Sequence, residues 1–212
     1  MPRAPVAPSS SPDAPFKRIG GNLALDLINT CDWVGGLPVN ERLTGYERLV
    51  EWAIESGVVG RAEGARLNRA AAGSPRAASA ALDSARWCRW VLRRVILVAM
   101  HDTVDDAALP EFEALVRRAL GAGTLVWQEG GVHWLWRHEP GVLDRLPWPV
   151  VQAAAQLLGS AEVHHLRQCG AADCGWIYLD HSRNGMRRWC EMSVCGTREK
   201  NRRRAERKRA AS

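Results

Sequence analysis

Four cysteines recur as Cys169-x4-Cys174-x15-Cys190-x4-Cys195. Two short loops, each bounded by a cysteine pair, suit a tetrahedral structural metal site. Each pair grips the ion from one turn, and the intervening segment folds back to bring the pairs together. Four thiolates close the coordination sphere, so such an ion is structural rather than catalytic. One Zn2+ is the expected occupant. An iron–sulfur centre is the alternative, because cysteine count alone does not choose the metal. Two disulfides, or four buried thiols, fit less well in a chain with no export signal. Four thiolates around Zn2+ carry a formal charge of about −2, which Arg187, Arg188 and Arg198 are placed to offset. His164, His165 and His181 lie near enough in sequence to replace a ligand, but four cysteines make that unnecessary. They are expected at the surface or beside the site. Cys31 and Cys88 stand apart and are expected as small buried apolar groups.

Beyond Cys195 the chain is almost wholly basic. The 212 residues hold 29 Lys+Arg and 23 Asp+Glu, for a formal charge of +6. Residues 183–212 contain 11 of the bases and 3 of the acids, net +8, leaving 18 and 20, net −2, for the rest. The positive excess therefore belongs to the last thirty residues. Wound as a helix, this tail covers nearly every face with charge and has no apolar stripe to dock on a core. Most charge runs are only solvated termini. Here, however, the run leaves directly from a metal site and is dominated by arginine, which suits bidentate phosphate or guanine contacts. The candidate nucleic-acid contacts are Arg183, Arg187, Arg188, Arg198, Lys200, Arg202, Arg203, Arg204 and Arg207. A polyanion would relieve the self-repulsion and order the tail. Duplex DNA is favoured over single-stranded RNA because no aromatic stacking platform is evident in the tail. An anionic membrane surface would need an apolar face.

The elements that must position this end are mostly helical. Residues 1–15, rich in Pro, Ala and Ser, read as a disordered leader without the apolar core of a signal peptide. No segment approaches the length of a membrane span, and a cytoplasmic protein is expected. Leu23, Leu27 and Ile28 follow Asn22, a plausible N-cap. Thr44 and Glu47 have the spacing of a capping box, ahead of a stripe at Leu49, Trp52 and Ala53 that ends at Gly57. A short helix covers 61–71. Ser74-Pro75 opens the longest helix, to about His101, with Leu82, Ala85, Leu92, Val95, Ile96 and Ala99 on one face and Arg86, Arg89 and Arg93 on another. A further helix runs over 110–120, and Pro147 and Pro149 introduce the last helix of the body. Residues 124–139 alternate around Gly130-Gly131 as a β-hairpin. Trp127, Trp134 and Trp136 there could form a wall or a dimer surface, or ordinary core. Within the cysteine segment, 176–179 reads as a strand, 182–185 as a turn and 186–192 as a helix.

The expected fold class is therefore α+β: a predominantly helical body with one small β-hairpin, then a small four-cysteine module and a basic tail helix. The domain boundaries are a leader at 1–15, the body at 16–163 and the module with its arm at 164–212. The two folded parts are expected to behave as separate units. Asn22, Asp26 and Asn29 fall on one side of the first helix. They could face a pocket and bind a small effector, or cap the helix and tie down neighbouring loops. No catalytic arrangement is evident: the glycine pairs form neither a Walker nor a Rossmann loop. An enzyme is not expected.

The run CGWIYLDHSRNGMRRWCEM from Cys174 to Met192, with Cys169, Cys195, Gly196 and Arg198, resembles the CGNR zinc-finger family. GGNLALDLINT from Gly20 to Thr30 resembles the start of the ABATE domain that precedes this finger in stress-induced transcriptional regulators. The resemblance implies a DNA-binding zinc finger with Cys169, Cys174, Cys190 and Cys195 as ligands, behind a body with a regulatory role; that body is expected to sense a small-molecule effector or to form a homodimer. One position departs from the family: Cys-Gly-Asn-Arg reads Cys195-Gly196-Thr197-Arg198 here. A threonine can contact a phosphate but lacks the paired donor and acceptor with which an amide reads a base. The alternative functions are an RNA- or ribosome-associated zinc protein and, further off, a small-molecule enzyme with a nucleic-acid anchor.

Overall fold

Helix α4, Pro75–His101, spans 27 residues, about 40 Å, and the body assembles along it. The computed structural model describes residues 14–101, 103–136 and 142–210. Of the expected leader, only Ala14 and Pro15 are among them. Ahead of α4 come α1 (Leu23–Ile28), a hairpin of β1 (Asp32–Val34) and β2 (Leu37–Val39), α2 (Tyr46–Glu55) and α3 (Arg61–Gly73). After it come α5 (Ala108–Gly121), the hairpin β3 (Thr124–Gln128) and β4 (Gly131–Leu135), and α6 (Trp148–Leu158). No helix among the described residues is long and apolar enough to cross a membrane.

The apolar spacing of α4 buries Ala78, Leu82, Ala85, Leu92, Val95 and Ile96. α1, α2, α3, α5 and α6 pack around it. α1 is short, but four of its six residues are buried, and Asn22 caps it by accepting from Ala24 N at 2.9 Å. α5 begins two residues before the expected start because Asp105 accepts from the N–H groups of Ala107 and Ala108, each at 3.2 Å. α6 buries Val150, Val151, Ala154 and Leu157 behind the proline at its first turn.

Several expectations are corrected. Thr44 makes no cap: α2 starts at Tyr46, Gly45 takes the N-cap position, and no side chain bonds there. Thr44 thus lies one residue outside the position from which it could reach the first free N–H groups. The β3–β4 hairpin pairs Leu125 with Trp134 and Trp127 with Val132, and it is not the sole sheet of the body. The β1–β2 hairpin, pairing Asp32 with Val39, joins it. Arg89 and Arg93, on the other face of α4, are buried as well. Arg89 is ion-paired with Glu41 and donates to Thr30 Oγ1 at 2.8 Å.

Candidate metal centre and nucleic-acid interface

A two-stranded antiparallel sheet carries the first cysteine pair. β5 (Leu166–Gln168) and β6 (Ile177–Leu179) pair Leu166 with Leu179 and Gln168 with Ile177. Cys169 leaves β5, and its N–H donates to the Trp176 carbonyl at 2.8 Å, closing the loop that holds Cys174. The second pair sits on a different frame. Residues 186–190 are not helical, correcting the helix expected over 186–192. Their backbone groups answer to distant partners instead: Gly170 N donates to the Arg188 carbonyl at 2.9 Å, and Tyr178 Oη to the Arg187 carbonyl at 2.6 Å. An extended return lets the chain run back under the first loop, whereas a helix would consume those carbonyls internally. One wide helical turn, Met192–Gly196, then carries Cys195.

The four Sγ atoms lie within 4.8 Å of one another and all four residues are buried. Cys174 and Cys190 are 3.6 Å apart at sulfur, and Cys190 and Cys195 3.5 Å. A Zn–S bond of about 2.3 Å implies sulfurs roughly 3.8 Å apart in a tetrahedron, so the cage fits that ion. His165 Nδ1 meets the Asp180 carbonyl at 3.2 Å, and His181 Nε2 the Glu162 carboxylate at 2.7 Å. Neither belongs to the cage, and His164 lies exposed beside them. Cys31 and Cys88 are buried, and burial pushes both thiols up to about 12.

The cage leads without a break into α7 (Thr197–Ala210), exposed along its length except near its start, where Glu199 is buried. Thr197, the residue that departs from Cys-Gly-Asn-Arg, opens α7 and donates from Oγ1 to the Met192 carbonyl at 3.3 Å. The candidate cations divide by what they already touch. Arg187 is engaged by the protein itself: its guanidinium donates to the Trp189 and Cys190 carbonyls and stacks over Tyr178 at 4.1 Å. Arg198 pairs with Asp173 at 2.7 Å and donates to Cys195 Sγ at 3.5 Å. Arg202 and Arg203 share Glu199, which holds that carboxyl below its usual range. Arg183, Lys200, Arg204 and Arg207 are exposed, with no carboxylate partner among the described residues. Arg188 is exposed and lies over Trp189.

Arg183 sits in a loop made rigid by Asp180, whose carboxylate accepts from Ser182 N and from Arg187 N, each at 2.9 Å. Asp two residues before Ser is a recognisable turn signal, so this role was readable in the sequence. That of Arg93 was not. Arg93 crosses from α4 to donate to the Gly175 carbonyl at 2.9 Å, and it lies 4.4 Å over Trp33. Burial lowers it to about 10, which leaves it charged at neutral pH.

The first helix serves the same seam. Asn29 donates to the Ile177 carbonyl at 2.8 Å and accepts from Ile177 N at 3.0 Å, completing the free edge of β6. Asp26 accepts from Gly20 N at 2.9 Å, and Asn22 is the cap of α1. These three side chains are thus engaged with backbone, as capping and loop-tying groups. The cavity that opens beside the cysteine cage is lined by other residues. Trp176 Nε1 donates to Asp32 Oδ1 at 2.9 Å, and Trp33 N to the Cys174 carbonyl at 2.9 Å. Leu166, Ile177 and Leu179 belong to the same apolar core as the body helices.

Comparison with known families places two matches in chain order. Residues 21–161 match the ABATE family, described as "Putative stress-induced transcription regulator", and residues 165–208 match the CGNR zinc finger. No curated protein matches the chain significantly.

Proposed function

The chain belongs to the ABATE family and carries a CGNR zinc finger at its C-terminal end, and from that premise we propose that it is a DNA-binding transcriptional regulator. One structural Zn2+ holds the four cysteines together, and the arm that leaves them grips duplex DNA. The observation that carries this is the direct passage from a closed thiolate cage into α7, whose arginines have no apolar seat on the protein. A helix of that composition is stabilised by a polyanion rather than by packing.

Lys200, Arg204 and Arg207 meet phosphates and supply salt-dependent affinity. The rigid loop at 180–185 presents Arg183 and Asn184, side chains able to make paired contacts with guanine and adenine edges. Arg187, Arg198, Arg202 and Arg203 hold the finger and the arm's first turns in shape. The body regulates and does not catalyse. Its own self-association surface is the part of the β3–β4 hairpin where Leu125, Trp127 and Val132 are exposed.

Selection of genomic duplex fragments by the zinc-loaded full-length protein, against excess competitor DNA at physiological salt, tests the proposal. A shared motif among recovered fragments supports it, and a palindrome supports the dimer. Recovery of random fragments overturns sequence-specific regulation and directs the search to RNA and ribosomal partners.

A further inference from the structure

A concavity of about 410 Å3 opens where the body meets the finger. Three of the four cage cysteines, Cys174, Cys190 and Cys195, line it, and Cys169 does not. Arg198 lines the same space and donates to Cys195 Sγ at 3.5 Å. Val194, exposed, forms part of the rim. A closed structural cage has no need of such an opening. It reaches the side of the cage that carries Cys190 and Cys195, beside the Arg198 guanidinium, a group able to stabilise a departing oxygen anion.

From this asymmetry we propose that Cys195 and Cys190 are a peroxide modification site. Cys195 thiolate attacks one oxygen of hydrogen peroxide; the O–O bond breaks, hydroxide leaves, and Cys195 becomes a sulfenic acid. Cys190, its sulfur 3.5 Å away, attacks the sulfenic sulfur and expels a second hydroxide, leaving a Cys190–Cys195 disulfide. Two thiolates lose two electrons in total, peroxide gains them, and two protons from solvent convert the hydroxides to water. The cage falls from four thiolates to two, which no longer retain the metal. Because α7 begins two residues after Cys195, the arm loses its anchor. That last consequence rests on the DNA-binding function proposed above, whereas the chemistry does not.

The test exposes the zinc-loaded full-length protein to hydrogen peroxide. Metal release is followed with a chromogenic chelator, and thiols are trapped over time by alkylation and mapped by mass spectrometry. The expected first product is a Cys190–Cys195 disulfide appearing in step with metal release, with Cys169, Cys31 and Cys88 still trapped as thiols. Val194→Trp fills the rim at an exposed position and is expected to slow release about fivefold or more, because access governs thiolate oxidation. Metal retention under peroxide, Cys169 in the first disulfide, or equal rates in Val194→Trp would each overturn the proposal. Duplex DNA binding is measured before and after oxidation. Loss of binding that reductant and Zn2+ restore supports the switch. A reduced protein that never binds DNA sinks the proposed function, while the disulfide and its rate still decide the peroxide site.

Discussion

Gly175 lies between two ligand-bearing segments and has φ +65, a conformation that side chains resist. A Cβ there would stand 2.4 Å from the Trp33 carbonyl oxygen. Gly175→Ala is therefore expected to cost about 3 kcal/mol or more, through strain and displaced backbone. A denaturant titration against wild type measures this, and an unchanged midpoint would refute the close seam. Asp26 offers a pH-dependent test. Burial raises its carboxyl to about 6, while the Gly20 N–H and Arg18 pull it down. The folded state thus binds this proton more tightly than the unfolded chain. The associated stability is present below about pH 4 and lost as pH rises through about 6. Asp26→Asn keeps an acceptor for Gly20, so it should remove roughly 2 kcal/mol of that decline, measured by unfolding at pH 4 and pH 7.

At the scale of elements, α7 separates charges that look alike in sequence. Arg204 is exposed without a carboxylate partner among the described residues, while Arg202 is bonded to Glu199. If each phosphate contact contributes about 0.9 to the salt slope, Arg204→Ala should reduce that slope by about 1 and Arg202→Ala by clearly less. Equal slopes would show that the intramolecular pairs dissolve on binding. Helices of the body were legible because their apolar spacing is long and regular, α4 above all. The stretch at 186–192 was not, since its shape depends on carbonyls taken by Gly170 and Tyr178, remote in sequence. The β1–β2 hairpin escaped for a similar reason. Its strands are three residues each, too short for alternation to register.

Across the whole molecule, finger and body share a core, and the expectation of separate units gives way to a coupled one. Leu166, Ile177 and Leu179 of the finger's sheet pack with the body helices, and Arg93, Trp33, Asn29 and Asp32 bond to the knuckle around Cys174. Chelation of the metal is accordingly expected to lower the melting temperature of the helical body, followed by circular dichroism. Residues 164–212 expressed alone should hold metal less tightly than the full chain, because the knuckle loses its seat. A body that melts identically with and without metal would restore the picture of independent units.

Taken alone, the sequence determined the four-cysteine cluster, the basic arm and the helical character of the body, for each rests on a local signal: cysteine spacing, charge density, apolar period. Tertiary structure decided how those parts act on one another. It assigned Asn29 to the edge of β6, turned Arg93 towards Gly175, and set Cys174, Cys190 and Cys195, but not Cys169, along the wall of a cavity. Such pairings join groups 82 and 148 residues apart. No periodicity reports them, because they follow from which buried polar groups must find partners once the core has closed.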